Sequence, residues 1–72
     1  MEYAIKKKDK IREMTLYFVT NFGAKLDVDE TVELINHYIL ATSINDAFRQ
    51  FQKGNLQRFL DLMEYSKKWS GK

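Results

Sequence analysis

Asp29, Glu33 and His37 stand at positions i, i+4 and i+8, so on a helix two carboxylates and the chain's one imidazole fall along a single line. Divalent metals accept such ligands, which makes this the nearest approach to a chemical site in the sequence. One helix face, however, offers at most two ligands at a usable angle, and a tight site needs three or four that converge. The line is therefore read as a solvated helix face on which Glu33 and His37 pair weakly, with no metal and no cofactor.

Other chemistries lack parts as well. Ser43, Ser66 and Ser70 are nucleophiles in principle, yet no second base stands beside them and no Gly-rich turn offers an oxyanion hole. Gly23, Gly54 and Gly71 occur singly, so no loop cradles a phosphate. A carboxylate pair of the glycosidase kind needs a cleft, which a fold of 72 residues rarely encloses. The expectation is a non-enzyme with no catalytic residues.

Cations are the next candidates. Lys6, Lys7, Lys8, Lys10 and Arg12 crowd the start of the chain against Glu2 and Asp9, and closely spaced cations displace counterions from a phosphate backbone. On a helix they wrap around the axis and form no single reading face, so a solvated helix start is the leading interpretation. The segment 27 to 33 holds Asp27, Asp29, Glu30 and Glu33 with no base, and Lys67, Lys68 and Lys72 make the end basic again. A chain that is basic, acidic and basic in turn pairs with itself, with a second copy or with a charged partner. Its net charge of +2 is too small to mark a nucleic-acid binder. Tyr65-Ser66-Lys67-Lys68-Trp69 mixes aromatics with cations, a composition suited to base stacking, a membrane interface or packing on a partner, but Asp61 and Glu64 weaken any membrane role.

The elements that must position these residues are helical by spacing. Ile11, Met14, Phe18 and Phe22 mark one face of a helix over about 3 to 20, ended by Gly23. The β-branched and aromatic run from Thr15 to Thr20 makes an N-terminal β-hairpin plus helices the alternative. Asp27-Val28-Asp29-Glu30 has capping-box spacing, which starts a second helix near 28 with Val28, Val32, Ile35, Ile39 and Thr42 inward, flanked by Leu34 and Tyr38. Ile44, Ala47, Phe48 and Phe51 then follow in a rotated phase. Ser43, three residues before Asp46, reads as a new N-cap and places a break near 42 to 44; one helix over 28 to 52 is the alternative. Gly54 and Asn55 suit a C-terminal turn and the next N-cap. The last helix runs from 56 to about 69 with Leu56, Phe59, Leu60 and Met63 inward and Leu62, Tyr65 and Trp69 on a second flank. Residues 1 to 8 and 70 to 72 are read as frayed ends.

Residues 47 to 62, from Ala47 through Lys53-Gly54-Asn55 to Phe59, Leu60 and Leu62, resemble the short IDEAL domain of Firmicute proteins in their helix, turn and following Phe and Leu. The five name-giving residues are not reproduced at that register, and the resemblance brings no function with it.

Apolar residues make up 44% and charged residues 31% of the chain, which excludes both a disordered chain and a membrane span. The longest apolar runs have four residues (Leu16 to Val19 and Tyr38 to Ala41), and the basic start is not followed by the apolar stretch of a signal peptide. Absence of Cys removes disulfides and is compatible with a reducing, cytoplasmic setting. The resulting expectation is one all-α domain over 1 to 72, a bundle of three to four short helices, and a homodimer built partly on Leu62, Tyr65 and Trp69, because so small a core gains from oligomerising and the last helix has apolar residues on two flanks. It acts as a non-catalytic regulatory or adaptor protein that binds another protein through an apolar helix face made of Leu40, Leu62, Tyr65 and Trp69. The alternative is a small DNA-associated transcriptional regulator that uses Lys6, Lys7, Lys8, Lys10 and Arg12 with Lys67 and Lys68. Small chains of this kind are common among phage, plasmid and chromosomal regulators.

Overall fold

Ile11, Met14, Thr15 and Phe18 recur at three- and four-residue steps and are all buried, and that stripe holds the first helix against the rest of the chain. A computed structural model describes residues 6–71, and over them the fold is four helices and no strand: α1 Lys7–Phe22, α2 Val28–Tyr38, α3 Ala41–Gln52 and α4 Gln57–Ser70. The run from Thr15 to Thr20 is helical, and the fully buried Thr15 is tolerated there because its hydroxyl donates back to the Ile11 carbonyl at 2.8 Å. The expected helix start at residues 3 to 5 and the outer parts of both expected frayed ends lie outside the described residues; Lys7, Lys8 and Ser70 are helical.

Each boundary has a local cause. Gly23 ends α1 at φ 64°, a left-handed conformation that only glycine adopts without cost. Asp27 caps α2, its carboxylate accepting from the Glu30 backbone N–H at 2.9 Å, as the capping-box spacing predicts. After α3, Gly54 sits at φ 91°. Its N–H donates to the Phe51 carbonyl at 2.9 Å while the Asn55 N–H donates to the Gln50 carbonyl at 2.9 Å, the paired bonds of a Schellman turn. The Asn55 side chain then accepts from the Gln57 N–H at 3.3 Å at the start of α4.

One boundary differs from expectation. The break between α2 and α3 falls at Ile39 and Leu40, both extended, and not at 42 to 44; Leu40 is the N-cap position and Ser43 lies inside the first turn of α3. Ile39 and Ile44 are both buried, yet five residues apart on one continuous helix they would point about 140° away from each other. Two extended residues turn the chain so that both reach the core. The same turn leaves Thr42 exposed, against its expected inward place. Phe22, also expected inward, is 58% exposed because it stands at the last position of α1, beyond the helices that cover Phe18.

α1 packs on α2 and α3, and α4 packs on the same two helices. Val32, Ile35, Ile39, Ile44, Ala47 and Phe48 supply the middle of the core, with Ile11, Met14 and Phe18 from one side and Phe59 from the other. Phe18 and Phe59 meet at a ring-centroid distance of 5.1 Å, so the two outer helices also touch at one end. Leu56, Leu60, Leu62 and Met63 pack at the margin of this cluster. Ser66 is the other buried hydroxyl, donating to the Met63 carbonyl at 2.9 Å. No buried side-chain nitrogen or oxygen lacks a partner among the described residues.

Candidate functional site

Two surfaces of this bundle carry the residues singled out in the sequence, and they are built in opposite ways. The first is the seam between α1 and α2. The two helices run antiparallel, which brings the basic start of one beside the acidic face of the other. Arg12 meets Asp29 at 2.9 Å and Lys8 meets Glu33 at 3.1 Å. Lys7 donates to the Asn36 carbonyl at 2.9 Å, near the C-terminal end of α2, where a helix leaves carbonyls without partners. Lys10 turns the other way, donating to the Asn45 side chain and lying 5.8 Å from the centre of the Phe48 ring.

These contacts decide the fate of the acidic line. Asp29 and Glu33 each hold an α1 cation, so Glu33 pairs with Lys8 and not with His37, whose ring packs edge-on against Tyr38 with centroids 4.7 Å apart. Among the described residues no cluster of His, Asp and Glu is arranged to hold a metal ion. Of the serines, Ser66 is buried and bonded to its own helix, and Ser70 leans on the Lys67 carbonyl at 3.4 Å.

The basic residues of the DNA-binding alternative do not form one patch. Lys7 lies against the C-terminal end of α2, whereas Lys67 shares a groove with Asp27 and Glu30 at its N-terminal end. An α-helix of 11 residues is about 16 Å long, and that length separates the two clusters. Lys6 and Lys68 are exposed at the corresponding ends.

The second surface is apolar and open. Where the chain turns from α2 into α3, Leu40 is pushed outward to 73% exposure. It lines a groove of about 310 Å³ with Tyr38 and Ile39 on one wall and Asp61, Leu62 and Tyr65 of α4 on the other. Three of the four residues expected to bind a partner, Leu40, Leu62 and Tyr65, thus come together although they are distant in sequence. Trp69 extends the strip one turn along α4, its ring centroid 6.0 Å from that of Tyr65, and it is 52% exposed. At the other end the groove runs into a second hollow through Ser43, Asp61 and Leu62, bounded by the Arg58–Asp46 ion pair at 3.2 Å.

Sequence reasoning missed Tyr38 and Asp61 as groove residues. Asp61 stands one position before Leu62, on the solvent side of the apolar stripe, and helical spacing alone contains that signal. It also missed a second aromatic cluster, where the Tyr17 ring meets Phe22 and Phe51 edge-on at 5.9 and 5.1 Å. Tyr17 is out of phase with Ile11, Met14 and Phe18, which was the readable sign.

No family model matches the chain, and neither does a curated protein or a solved structure. No described helix is long and apolar enough to cross a membrane.

Proposed function

We propose that this chain is a cytoplasmic, non-catalytic regulatory or adaptor protein that works by binding protein through the strip formed by Leu40, Leu62, Tyr65 and Trp69. The observation that carries the reading is the convergence of Leu40 with Leu62 and Tyr65 around one open groove, with Trp69 adjoining it. Large aromatic and aliphatic side chains held half out of water on rigid helices have little to gain from solvent and much to gain from a partner, and Trp and Tyr carry a disproportionate share of interface energy. The engagement of Lys7, Lys8, Lys10 and Arg12 by α2 and α3 counts against phosphate binding as their main task.

Two measurements test the reading together. Immobilised chain and a Leu40→Glu/Tyr65→Ala variant of it are used to capture proteins from a lysate of the native host; proteins held by the first and lost by the second support the reading, and identical captures overturn it. Duplex DNA titrated at low and moderate salt while Trp69 fluorescence is recorded should give a flat response. A saturable change that weakens steeply with salt would instead assign the function to the basic residues.

A further inference from the structure

We infer that the occupant of the α4 flank is a second copy of the same chain, its own α4 laid antiparallel along the stripe with Leu62 opposite Tyr65 of the other copy. The inference rests on the reading of this face as protein-binding and names what it binds. Leu62, Tyr65 and Trp69 are spaced i, i+3 and i+7, the seam of a two-helix coiled coil, and the face they form is open: Tyr65 is 48% exposed and Leu62 half-buried.

Charge selects the direction and the register. The positions just before Leu62 and Trp69 are Asp61 and Lys68, which flank the seam on its solvent side; both are exposed and neither is in an ion pair among the described residues, the Asp61 carboxylate accepting a hydrogen bond from the Gln57 side chain at 3.0 Å through one oxygen. In antiparallel helices such flanking positions face their own kind across the seam. Setting Leu62 against Tyr65 therefore places Asp61 of each copy beside Lys68 of the other, twice, around a two-fold axis. The same count sets Trp69 over Arg58 of the second copy, a guanidinium already held in place by Asp46.

The competing arrangements lose these pairs. Sliding the helices so that Tyr65 faces Trp69 brings Lys68 against Lys68. Pairing them parallel sets Asp61 against Ser66, which is buried in its own chain, and aligns two helix dipoles side by side. Leu40 and Tyr38, on the wall of the groove facing α4, widen the contact beyond one helix. The interface is nonetheless small, and a dissociation constant on the order of 10 to 100 μM is expected.

Sedimentation equilibrium of the full chain from low to high micromolar concentration, with circular dichroism to confirm helix content, tests the inference. Wild type should dimerise, Asp61→Lys and Lys68→Glu alone should each weaken the dimer about 5- to 10-fold, and the double exchange Asp61→Lys/Lys68→Glu should restore it. Both positions are exposed, so these variants keep the monomer fold. A dimer indifferent to the single exchanges, or single exchanges that the double does not rescue, overturns the register. A chain that stays monomeric at high micromolar concentration overturns the inference; if it still captures another protein through Leu40 and Tyr65, the reading of the face survives. A rescued dimer without such capture upholds the inference and removes the adaptor role.

Discussion

The α1–α2 seam and the α4 flank are both helix faces left at the surface by the same small core, yet one is closed by its own chain and the other is not. At the seam, antiparallel packing sets three of the four α1 cations beside an acceptor on α2, at Arg12–Asp29, Lys8–Glu33 and Lys7–Asn36, while Lys10 reaches Asn45 of α3. At the flank, Leu40 and Tyr65 line a groove that Trp69 adjoins, and Asp61 and Lys68 make no ion pair among the described residues. A charge-rich stretch in a sequence is thus a poor guide to a binding site until its intramolecular partners are known. A patch of exposed apolar side chains, such as Leu40, Tyr65 and Trp69 make, is the better one.

The largest effect is expected where the two regions share a support. Ile35 is fully buried on α2, between the helix that carries the seam and the one that carries the flank. Ile35→Ala should cost about 2 to 5 kcal/mol in urea unfolding, enough to take most of the stability of so small a domain. A loss below about 1 kcal/mol would mean that the two regions do not depend on a common core. Next comes the turn that aims α4. A Cβ at Gly54 meets no atom within 4 Å, so the cost of Gly54→Ala comes from its φ of 91° alone and should be about 1 to 2 kcal/mol by thermal unfolding. Asp27→Ala, which removes the cap of α2, should cost about 1 kcal/mol, and an equal loss from Asp27→Asn would show that charge and not the capping bond is at work.

Much of this was legible in the sequence, for identifiable reasons. An all-α bundle of three to four helices follows from apolar spacing and from two punctuating glycines, with one helix or two left open over 28 to 52, and the Asp27 cap follows from a four-residue pattern. What spacing could not show was the position of the α2–α3 break. Ser43 and Asp46 look like a local capping signal, but the chain turns earlier because Ile39 and Ile44 must both enter one core, a tertiary demand no local pattern displays. The flank was legible as a stripe on α4, since Leu62, Tyr65 and Trp69 lie in one helix. That Leu40 joins it depended on the same break. The pairing of the basic and acidic segments was readable only as one of several partnerships, because charge pattern does not say which helix packs antiparallel to which.

At the seam itself, small effects are expected and their salt dependence is the informative part. Lys8→Ala and Arg12→Ala should each cost about 0.2 to 1 kcal/mol at low ionic strength and less at 0.5 M salt, since both pairs are exposed. Neither change should alter capture of a partner or the concentration dependence of the sedimentation profile. A lysine change that left stability untouched and abolished binding would reverse the assignment of the two regions.

The smallest effect on the folded monomer, and the most telling, is expected at the flank. Tyr65 makes its ring contact with Trp69, itself exposed, so Tyr65→Ser removes little from the monomer core and should shift monomer stability by no more than about 0.5 kcal/mol. Association should suffer far more, because a half-exposed aromatic has its remaining surface to bury only in a complex. The two quantities separate in one experiment. Binding to a second folded copy stabilises the folded state by mass action, so the Tm of the wild type should rise with protein concentration. That of Tyr65→Ser should start from nearly the same value in dilute solution and stay there. Equal slopes for the two proteins would place any self-association elsewhere, with the Tyr17, Phe22 and Phe51 cluster as the next face to change.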